Sequence, residues 1–375
     1  MKILVVAPEY GDSPYAASLR YEGLCRELCL KSSITVEVVS GCGKPSSDMK
    51  LGWHRILNVN ARKGSTLMRI IKEVIFGFRV LTLILFRRPN FVLLSVPNFI
   101  SSLLTGLFCK IFCVRYFIDT RDLYPSSYAL GGLLSENGIL FALLSRITSN
   151  FYGGAIHHFA ATRGLADEIY RLFDLNSAPT VIMNGYPEAL CSEILANSTE
   201  PTRDVVMHGT FGRMQNVDLL LEVVKKMPDT TFTFIGEGVM FNKIREANLK
   251  NLIVHPRLAH RDVLHIVVNH SVGLSVRSGS WYDTMSLPVK IFEFLGLGLG
   301  VVSYPKTEFC KYDSAKSRIT NIAAPSAGEV ALALEKALCN SKKNRKTEVD
   351  STLTREYQSE IFCTVLVSYM SSANV

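Results

Sequence analysis

The sequence predicts an α/β chain folded as two doubly wound parallel sheets, and three observations carry that prediction. Residues 2–39 read as strand, loop, helix and strand, the βαβ unit from which parallel sheets are built. The same alternation restarts after residue 203, with strand patterns at 204–208, 231–236, 252–255 and 271–276. The chain has 375 residues, long for one hydrophobic core and suited to two.

Lys2-Ile-Leu-Val-Val-Ala-Pro8 is an apolar run of strand length, and Pro8 and Glu9 cut it short of the hydrophobic region of a signal peptide. The following loop, with Gly11, lies at the carboxyl end of that strand, where sheets of this class bind ligands, although it has no G-x-G-x-x-G pattern. A helical pattern runs from Ala16 to Leu30, and Ile34-Thr-Val-Glu-Val-Val39 is the next strand. Thr66–Phe86 has helical periodicity, with Leu67, Ile70, Ile71, Val74, Ile75, Phe78, Leu81 and Leu85 on an apolar face and Arg69, Lys72 and Arg79 among them. Either the sheet covers that face or a membrane surface does, or each covers a part. Residues 89–109 carry no charge, but Pro97-Asn98 divides them into a buried strand, Phe91–Ser95, and a helix, Phe99–Phe112, in place of a spanning helix.

Arg115–Pro125 reads as strand into loop, which puts Asp119, Arg121 and Asp122 at a strand end where α/β sheets display reactive groups. The alternative is an Arg–Asp pair that merely holds the loop down. His157 and His158 fall on opposite faces of a short strand and make a poor metal pair, so both read as structural. Thr180–Met183 is a strand ending in an Asn184-Gly185 turn, and the polar stretch 188–203 reads as a linker. The expected organisation is a first domain over 1–187, that linker, a second domain over 204–350, and a C-terminal helix over 351–375.

In the second half, Gly209-Thr-Phe-Gly-Arg213 is a strand-to-helix loop, and Gly212 and Arg213 sit where a phosphate contact is well placed. Ser286-Leu-Pro-Val-Lys-Ile-Phe-Glu293 then reads as a loop entering a helix near Pro288, with Ser286 as its cap. Lys290 and Glu293, three apart, share a face. A helix N-terminus with free N–H groups suits a diphosphate, and Glu293 either accepts from sugar or ribose hydroxyls or only complements the helix dipole.

Net charge is +8, of which residues 1–185 carry +7 and residues 186–375 carry +1. Residues 50–116 hold eleven basic side chains against one acid, Glu73, in a strongly apolar segment. The chain is 48% hydrophobic with a mean hydropathy of +0.20. Nucleic acid would account for the charge but not for the apolarity, whereas an anionic membrane surface accounts for both. Nine cysteines include no C-x-x-C pair and no Cys/His cluster, so a reducing cytoplasm and no metal site are expected.

With these pieces in order, nearly the whole chain resembles bacterial family 4 glycosyltransferases of the type acting in cell-surface polysaccharide synthesis. Arg88-Pro-Asn-Phe-Val-Leu-Leu-Ser-Val-Pro97 resembles the family's basic-Pro-Asp-x-Val…Ser-Pro segment, and Asp119-Thr-Arg-Asp-Leu-Tyr-Pro125 its Arg-Asp-Leu-Trp-Pro signature. Asn184-Gly185, Gly209-Thr-Phe-Gly-Arg213 and Ser286-Leu-Pro-Val-Lys-Ile-Phe-Glu293 follow in the family's order. The resemblance implies the GT-B fold: two Rossmann-like domains facing across a cleft, with the last helix crossing back to the first. It implies a metal-independent, retaining enzyme; no cofactor is expected, and the basic, apolar segment 50–116 leads to the expectation of a place in the cytoplasm, peripheral on the inner face of the cell membrane. The donor would be a UDP- or GDP-sugar and the acceptor a lipid-linked glycan or other glycan. Arg213 and Lys290 would hold the diphosphate and Glu293 the ribose, Gly11 would admit the donor, and Arg121 and Asp122 would face the transferred sugar or acceptor. Met285 stands where many relatives have a glutamate, Gln215-Asn216 where many have Lys-Gly, and the first loop lacks Gly-Gly. Two alternatives stay in view: a nucleotide-sugar epimerase of similar two-domain form and, because of Met285 and the sparse glycine loop, a non-catalytic sugar-nucleotide or lipid-binding protein.

Overall fold

The structure is a computed structural model describing residues 1–11, 16–45, 49–59, 66–212, 215–311, 313–341 and 350–373. Two compact units emerge, Met1–Met183 with Ser359–Val375, and Asn184–Gln358.

Among the described residues the first unit is built on seven parallel strands, β1 (Lys2–Glu9), β2 (Thr35–Cys42), β3 (Trp53–Ile56), β4 (Phe91–Val96), β5 (Arg115–Thr120), β6 (His157–Ala160) and β7 (Thr180–Val181). Their order is β3-β2-β1-β4-β5-β6-β7. The second sheet contains β8 (Arg203–Thr210), β9 (Phe232–Glu237), β10 (Leu252–Pro256), β11 (His270–Val276), β12 (Gly300–Tyr304) and β13 (Ile319–Asn321), in the order β10-β9-β8-β11-β12-β13. Every strand pairing among the described residues is parallel. Both sheets reverse direction of winding beside their first strand, between β1 and β4 and between β8 and β11, and there a crevice opens at the carboxyl ends. The fold class read from the periodicities is the one observed.

Alternate residues of the strands feed opposite helix layers. In the first unit Ile3, Val5, Leu93 and Phe117 join a core with helix Ala16–Cys29 and with the C-terminal helix Arg355–Ser372, which buries Phe362, Cys363, Leu366 and Met370 there. On the other side lie helices Thr66–Arg87, Phe99–Ile111 and Ile139–Gly153. Residues 188–203, expected as a linker, include helix Glu188–Ala196, which buries Cys191 and Ile194. Its polar composition conceals two inward positions three apart, enough to seat a short helix. His157 and His158 are buried and bonded to Thr180 Oγ1 and the Tyr152 carbonyl, at 2.7 and 2.9 Å, and burial pushes both down to about 4, so they are neutral structural groups as expected.

In the second unit helix Val289–Gly296 lies flat on β11 because Gly273 leaves room for the Phe294 ring; a Cβ at Gly273 would sit 2.1 Å from it. Gly273→Ala is therefore expected to cost about 1–3 kcal/mol through overpacking, lowering the thermal midpoint by roughly 2–4 °C per kcal/mol for a unit of this size. Gly153→Ala, where nothing lies within 4 Å, should leave the midpoint unchanged or slightly higher. Equal midpoints for the two variants in a thermal melt would refute this packing argument.

Candidate functional site

The crevice of the second sheet is lined from four elements. β8 ends at His208-Gly209-Thr210, β11 runs directly into Arg277, helix His260–Val267 presents its first residue, and helix Val289–Gly296 points its N-terminus at the same place. Glu293, on the buried face of that helix and 2% exposed, is the hub. Its Oε1 lies 2.6 Å from His260 Nε2, and its Oε2 lies 3.2 Å from His208 Nε2. The second contact is an ion-pair approach without hydrogen-bond alignment. Burial would raise the Glu293 carboxyl, but the two histidines outweigh it and hold it well below the usual carboxylate range. His208 also meets the Phe294 ring edge-on, at 5.2 Å between centroids.

One turn before Glu293, Lys290 reaches back toward β8, and its Nζ is 3.6 Å from where a Gly209 Cβ would stand. Gly209 has φ +118, a conformation open to glycine, so the absent side chain both permits the turn and leaves space at the ammonium. Among the described residues no hydrogen bond or ion pair to Lys290 is found. Burial first, and then the charge of Arg277, bring Lys290 down to about 8, against the partial help of Glu293. Arg277 is itself neutralised: it pairs with Asp283 at 2.6 Å and donates to Ser286 Oγ. Buried Asp283 also accepts from Ser278 Oγ and the Gly279 and Ser280 amides at 2.6–3.1 Å, which ties the loop before the helix into one turn.

Ser286 is not the helix cap expected from sequence. Its hydroxyl donates to the Asp283 carbonyl at 3.1 Å, the cap position belongs to Pro288, and the helix starts at Val289 with no side-chain cap. The first-turn amides are thus left without a side-chain acceptor, beside the Lys290 ammonium. Gly212 has open space where a Cβ would point, and Arg213 lies outside the described residues. His208, His260, Arg277 and Asp283 were missed by the sequence reading. Only Arg277 had a usable signal, its place immediately after a strand's carboxyl end.

The first sheet's crevice is different in kind. Asp119 is fully buried in a two-pronged pair with Arg20, whose Nε and Nη2 donate at 2.9 and 2.7 Å, while Tyr21 donates its hydroxyl at 2.6 Å. Arg20 also donates to the Ile182 and Met183 carbonyls, so the pair joins helix Ala16–Cys29 to β5 and the end of β7. The loop-holding Arg–Asp pair therefore exists, with Arg20 in the place where sequence put Arg121. Arg121 Nη2 donates to Ser95 Oγ at 3.0 Å, and its guanidinium stands 5.6 Å from the Tyr21 ring centre. Burial opposes its charge, but Tyr21, Asp119, Glu9 and Asp122 nearby raise it above the ordinary arginine value. Asp122 follows it, half-buried. Gly11 has φ +59, and a Cβ there would meet the Lys44 carbonyl at 1.6 Å, so the glycine admits this chain's own backbone.

Among the described residues no group of three or more His, Cys, Asp or Glu side chains is placed to hold a metal ion. No protein-family model matches the chain, and no curated protein matches it either. Solved structures do match. One is the UDP-GlcNAc 2-epimerase from Neisseria meningitidis bound to UDP-GlcNAc, at 14% identity and TM-score 0.60, covering 98% of this chain and 100% of that one. A second is a glycosyltransferase from Rickettsia africae, at 11% identity and TM-score 0.59, covering 98% of each chain. A third is a glycosyltransferase involved in avilamycin A biosynthesis, at 8% identity and TM-score 0.56, covering 99% and 98%. At these identities the likeness speaks for the fold, which is the two-domain α/β architecture expected from the motifs.

Asp119 and Glu293 both have carboxyl pKa values below the usual range in the folded chain, so their contribution to stability is complete above that range and lost as pH falls through the lowered values. Replacing Asp119 strands the buried Arg20 charge. Asp119→Asn is expected to cost about 3–5 kcal/mol, read as a shift of the urea midpoint at pH 7, and a midpoint unchanged from the parent would contradict the role given to this pair.

Proposed function

We propose that this chain is a glycosyltransferase that moves a sugar from a nucleotide-diphosphate donor, UDP- or GDP-linked, to a lipid-linked or glycan acceptor in cell-surface polysaccharide synthesis. The observation that carries the reading is the crevice of the second sheet, where a half-buried, unpaired Lys290 ammonium stands beside an uncapped helix N-terminus and a Gly209 turn. A cation beside helix-start amides that have no side-chain acceptor is what a diphosphate requires. In this reading Lys290, the first-turn amides and Arg213 take the diphosphate and stabilise it as it leaves, the electrostatic work that a metal ion does elsewhere. Glu293 fixes the ring of His260, whose side chain is 30% exposed, so that the imidazole and carboxylate together meet the ribose. Gly212 keeps the loop before Arg213 open, and Ser286 with Arg277 holds the entry to the helix. In the first unit, Arg121 and Asp122, at the carboxyl end of β5, are assigned to the sugar or acceptor, and the Gly11 turn at the end of β1 to admitting the donor. Retention at the anomeric carbon, independence of a metal and a place on the inner face of the cell membrane belong to the same proposal.

A second reading is favoured by a specific likeness: a nucleotide-sugar epimerase, since the Neisseria meningitidis enzyme is among the structures similar to this chain. Epimerisation needs groups that remove and return a proton at one carbon. A panel of UDP- and GDP-sugars with a lipid extract separates the readings: a glycosylated lipid with released nucleoside diphosphate supports transfer, and an interconverted sugar nucleotide overturns it in favour of epimerisation. Binding without turnover overturns both.

Three variants test the residue roles. Glu293→Ala and Arg213→Ala are each expected to lower turnover by about 100-fold or more with the fold intact, and near-normal activity at subsaturating donor would remove that residue from the site. Lys290 supplies a pH dependence. A diphosphate favours the ammonium form, and free Lys290 loses its proton near pH 8, so donor affinity should be flat below that pH and fall up to about tenfold per unit above it. The diphosphate of a nucleotide sugar does not titrate in this range. Calorimetric titrations from pH 6.5 to 9.5 should show that slope in the parent from near pH 8, and in Lys290→Met a weaker profile that bends only above about pH 9, where the base's own ring N–H ionises; identical profiles would exclude Lys290 from the donor.

A further inference from the structure

The layer of helices Thr66–Arg87, Phe99–Ile111 and Ile139–Gly153 is apolar on two faces. Helix Thr66–Arg87 buries Phe76, Val80, Leu83 and Ile84, and Gly77 lets it approach helix Phe99–Ile111 closely. That packing uses residues other than most of those expected from periodicity to face inward. Leu67, Ile71 and Phe78 remain exposed, Leu67 by 68% and Phe78 by 58%. Helix Ile139–Gly153 also packs against helix Phe99–Ile111, and it too leaves apolar side chains in solvent, among them Ile139 at 89% and Leu143. Lone exposed apolar residues are ordinary, but two helices that both pack on helix Phe99–Ile111 and both show them mark an interaction surface.

Charge decides what kind of surface covers it. Glu73, the one acid against eleven basic residues in 50–116, is buried, its Oε2 accepting from the Ile100 amide at 2.9 Å, and burial raises it to about 7. The exposed surface of helix Thr66–Arg87 therefore carries Arg69 and Arg79 with no exposed acid, and Arg146 is exposed on helix Ile139–Gly153, with Glu136 the acid in the preceding loop. Position decides what it serves. In a parallel sheet each helix begins at the carboxyl edge. Phe99, at the start of its helix, stacks on Tyr124 at 4.8 Å and meets Tyr128 edge-on, and those tyrosines follow Arg121 and Asp122 directly in the chain. Exposed Leu130 and Leu133 come next.

We propose that this edge of the first unit docks on an anionic lipid bilayer, with Leu67, Ile71, Phe78, Ile139 and Leu143 entering the headgroup region and Arg69, Arg79 and Arg146 at the phosphates. The bilayer then lies beside Arg121 and Asp122, so an acceptor carried on a lipid reaches them without leaving the membrane. The docking stands on the surface alone; the use made of it rests on the transferase reading above. No helix of the described residues is long and apolar enough to cross a membrane, so attachment of this kind would be reversible.

Flotation of the full chain with phosphatidylcholine vesicles, with and without 30 mol% phosphatidylglycerol, tests the docking without donor or turnover, so a failure here is separate from a failure of the transferase reading. The parent is expected to bind the anionic vesicles about tenfold or more better than the neutral ones, less so at 0.5 M salt. Leu67→Ser with Ile71→Ser and Phe78→Ser should lose about tenfold or more of that binding while keeping the parent's thermal midpoint, since all three side chains are exposed. Leu332→Ser, an exposed apolar site on the second unit, should bind like the parent. Equal recovery with both vesicle types, no recovery with either at low salt, or full binding by the triple variant would overturn the proposal. So would a dimer of the parent, dispersed by the triple variant, without vesicle binding.

Discussion

The contact between Gly273 and Phe294 governs the second unit. With no side chain on β11 at that point, helix Val289–Gly296 settles against the strand and its N-terminus comes to the reversal between β8 and β11. Everything chemical in the crevice follows from this seating. Glu293 faces inward between two histidines because the helix is close enough for β8 and helix His260–Val267 to reach it, and Lys290, one turn earlier, is carried over Gly209. A bulkier residue at 273 would push the helix outward and separate all of these groups together.

The two sheets share a winding order but use their crevices differently. In the first, the deepest charge is satisfied internally: Asp119 takes two bonds from Arg20 and one from Tyr21, and Arg20 spends its remaining donors on backbone carbonyls. A network so complete rigidifies the loop ends and offers little to a ligand. In the second, Arg277 is neutralised by Asp283 but Lys290 is not neutralised by any described group, and burial makes that costly. An ammonium kept at such expense is a sign of function rather than of stability. This difference is the physical reason for assigning the anionic ligand to the second sheet.

Periodicity made the fold legible. Continuous apolar runs such as 2–8 and 91–95 are of strand length and end at or just before prolines, which reads as strands covered on both faces, and their alternation with helical patterns pointed to parallel sheets. The Thr66 helix was found within a residue of its observed end. Its inward face was not, because a helix apolar on two sides does not announce which side the sheet takes. The same limit applies to the crevice. Lys290 and Glu293 are neighbours on one turn, so local spacing revealed them, whereas His208, His260 and Arg277 meet Glu293 or Lys290 only through the winding of the sheet. Arg20 reaches Asp119 across 99 positions, and nothing near Asp119 in sequence distinguishes it from Arg121 as the partner. Ser286 failed as a cap for a related reason: its hydroxyl donates to the Asp283 carbonyl and accepts from Arg277, and local preference gave way to that network.

The central claim is that the second unit's crevice holds the nucleotide diphosphate. Amide hydrogen exchange of the full chain with and without a UDP- or GDP-sugar tests it residue by residue. The account predicts slowed exchange in 208–212, at the start of the helix at 260 and over 286–293, with the first sheet's strand ends at 9–11 and 96–98 changing less. Protection centred on 9–11 and 96–98, or no protection with any nucleotide sugar, would contradict it.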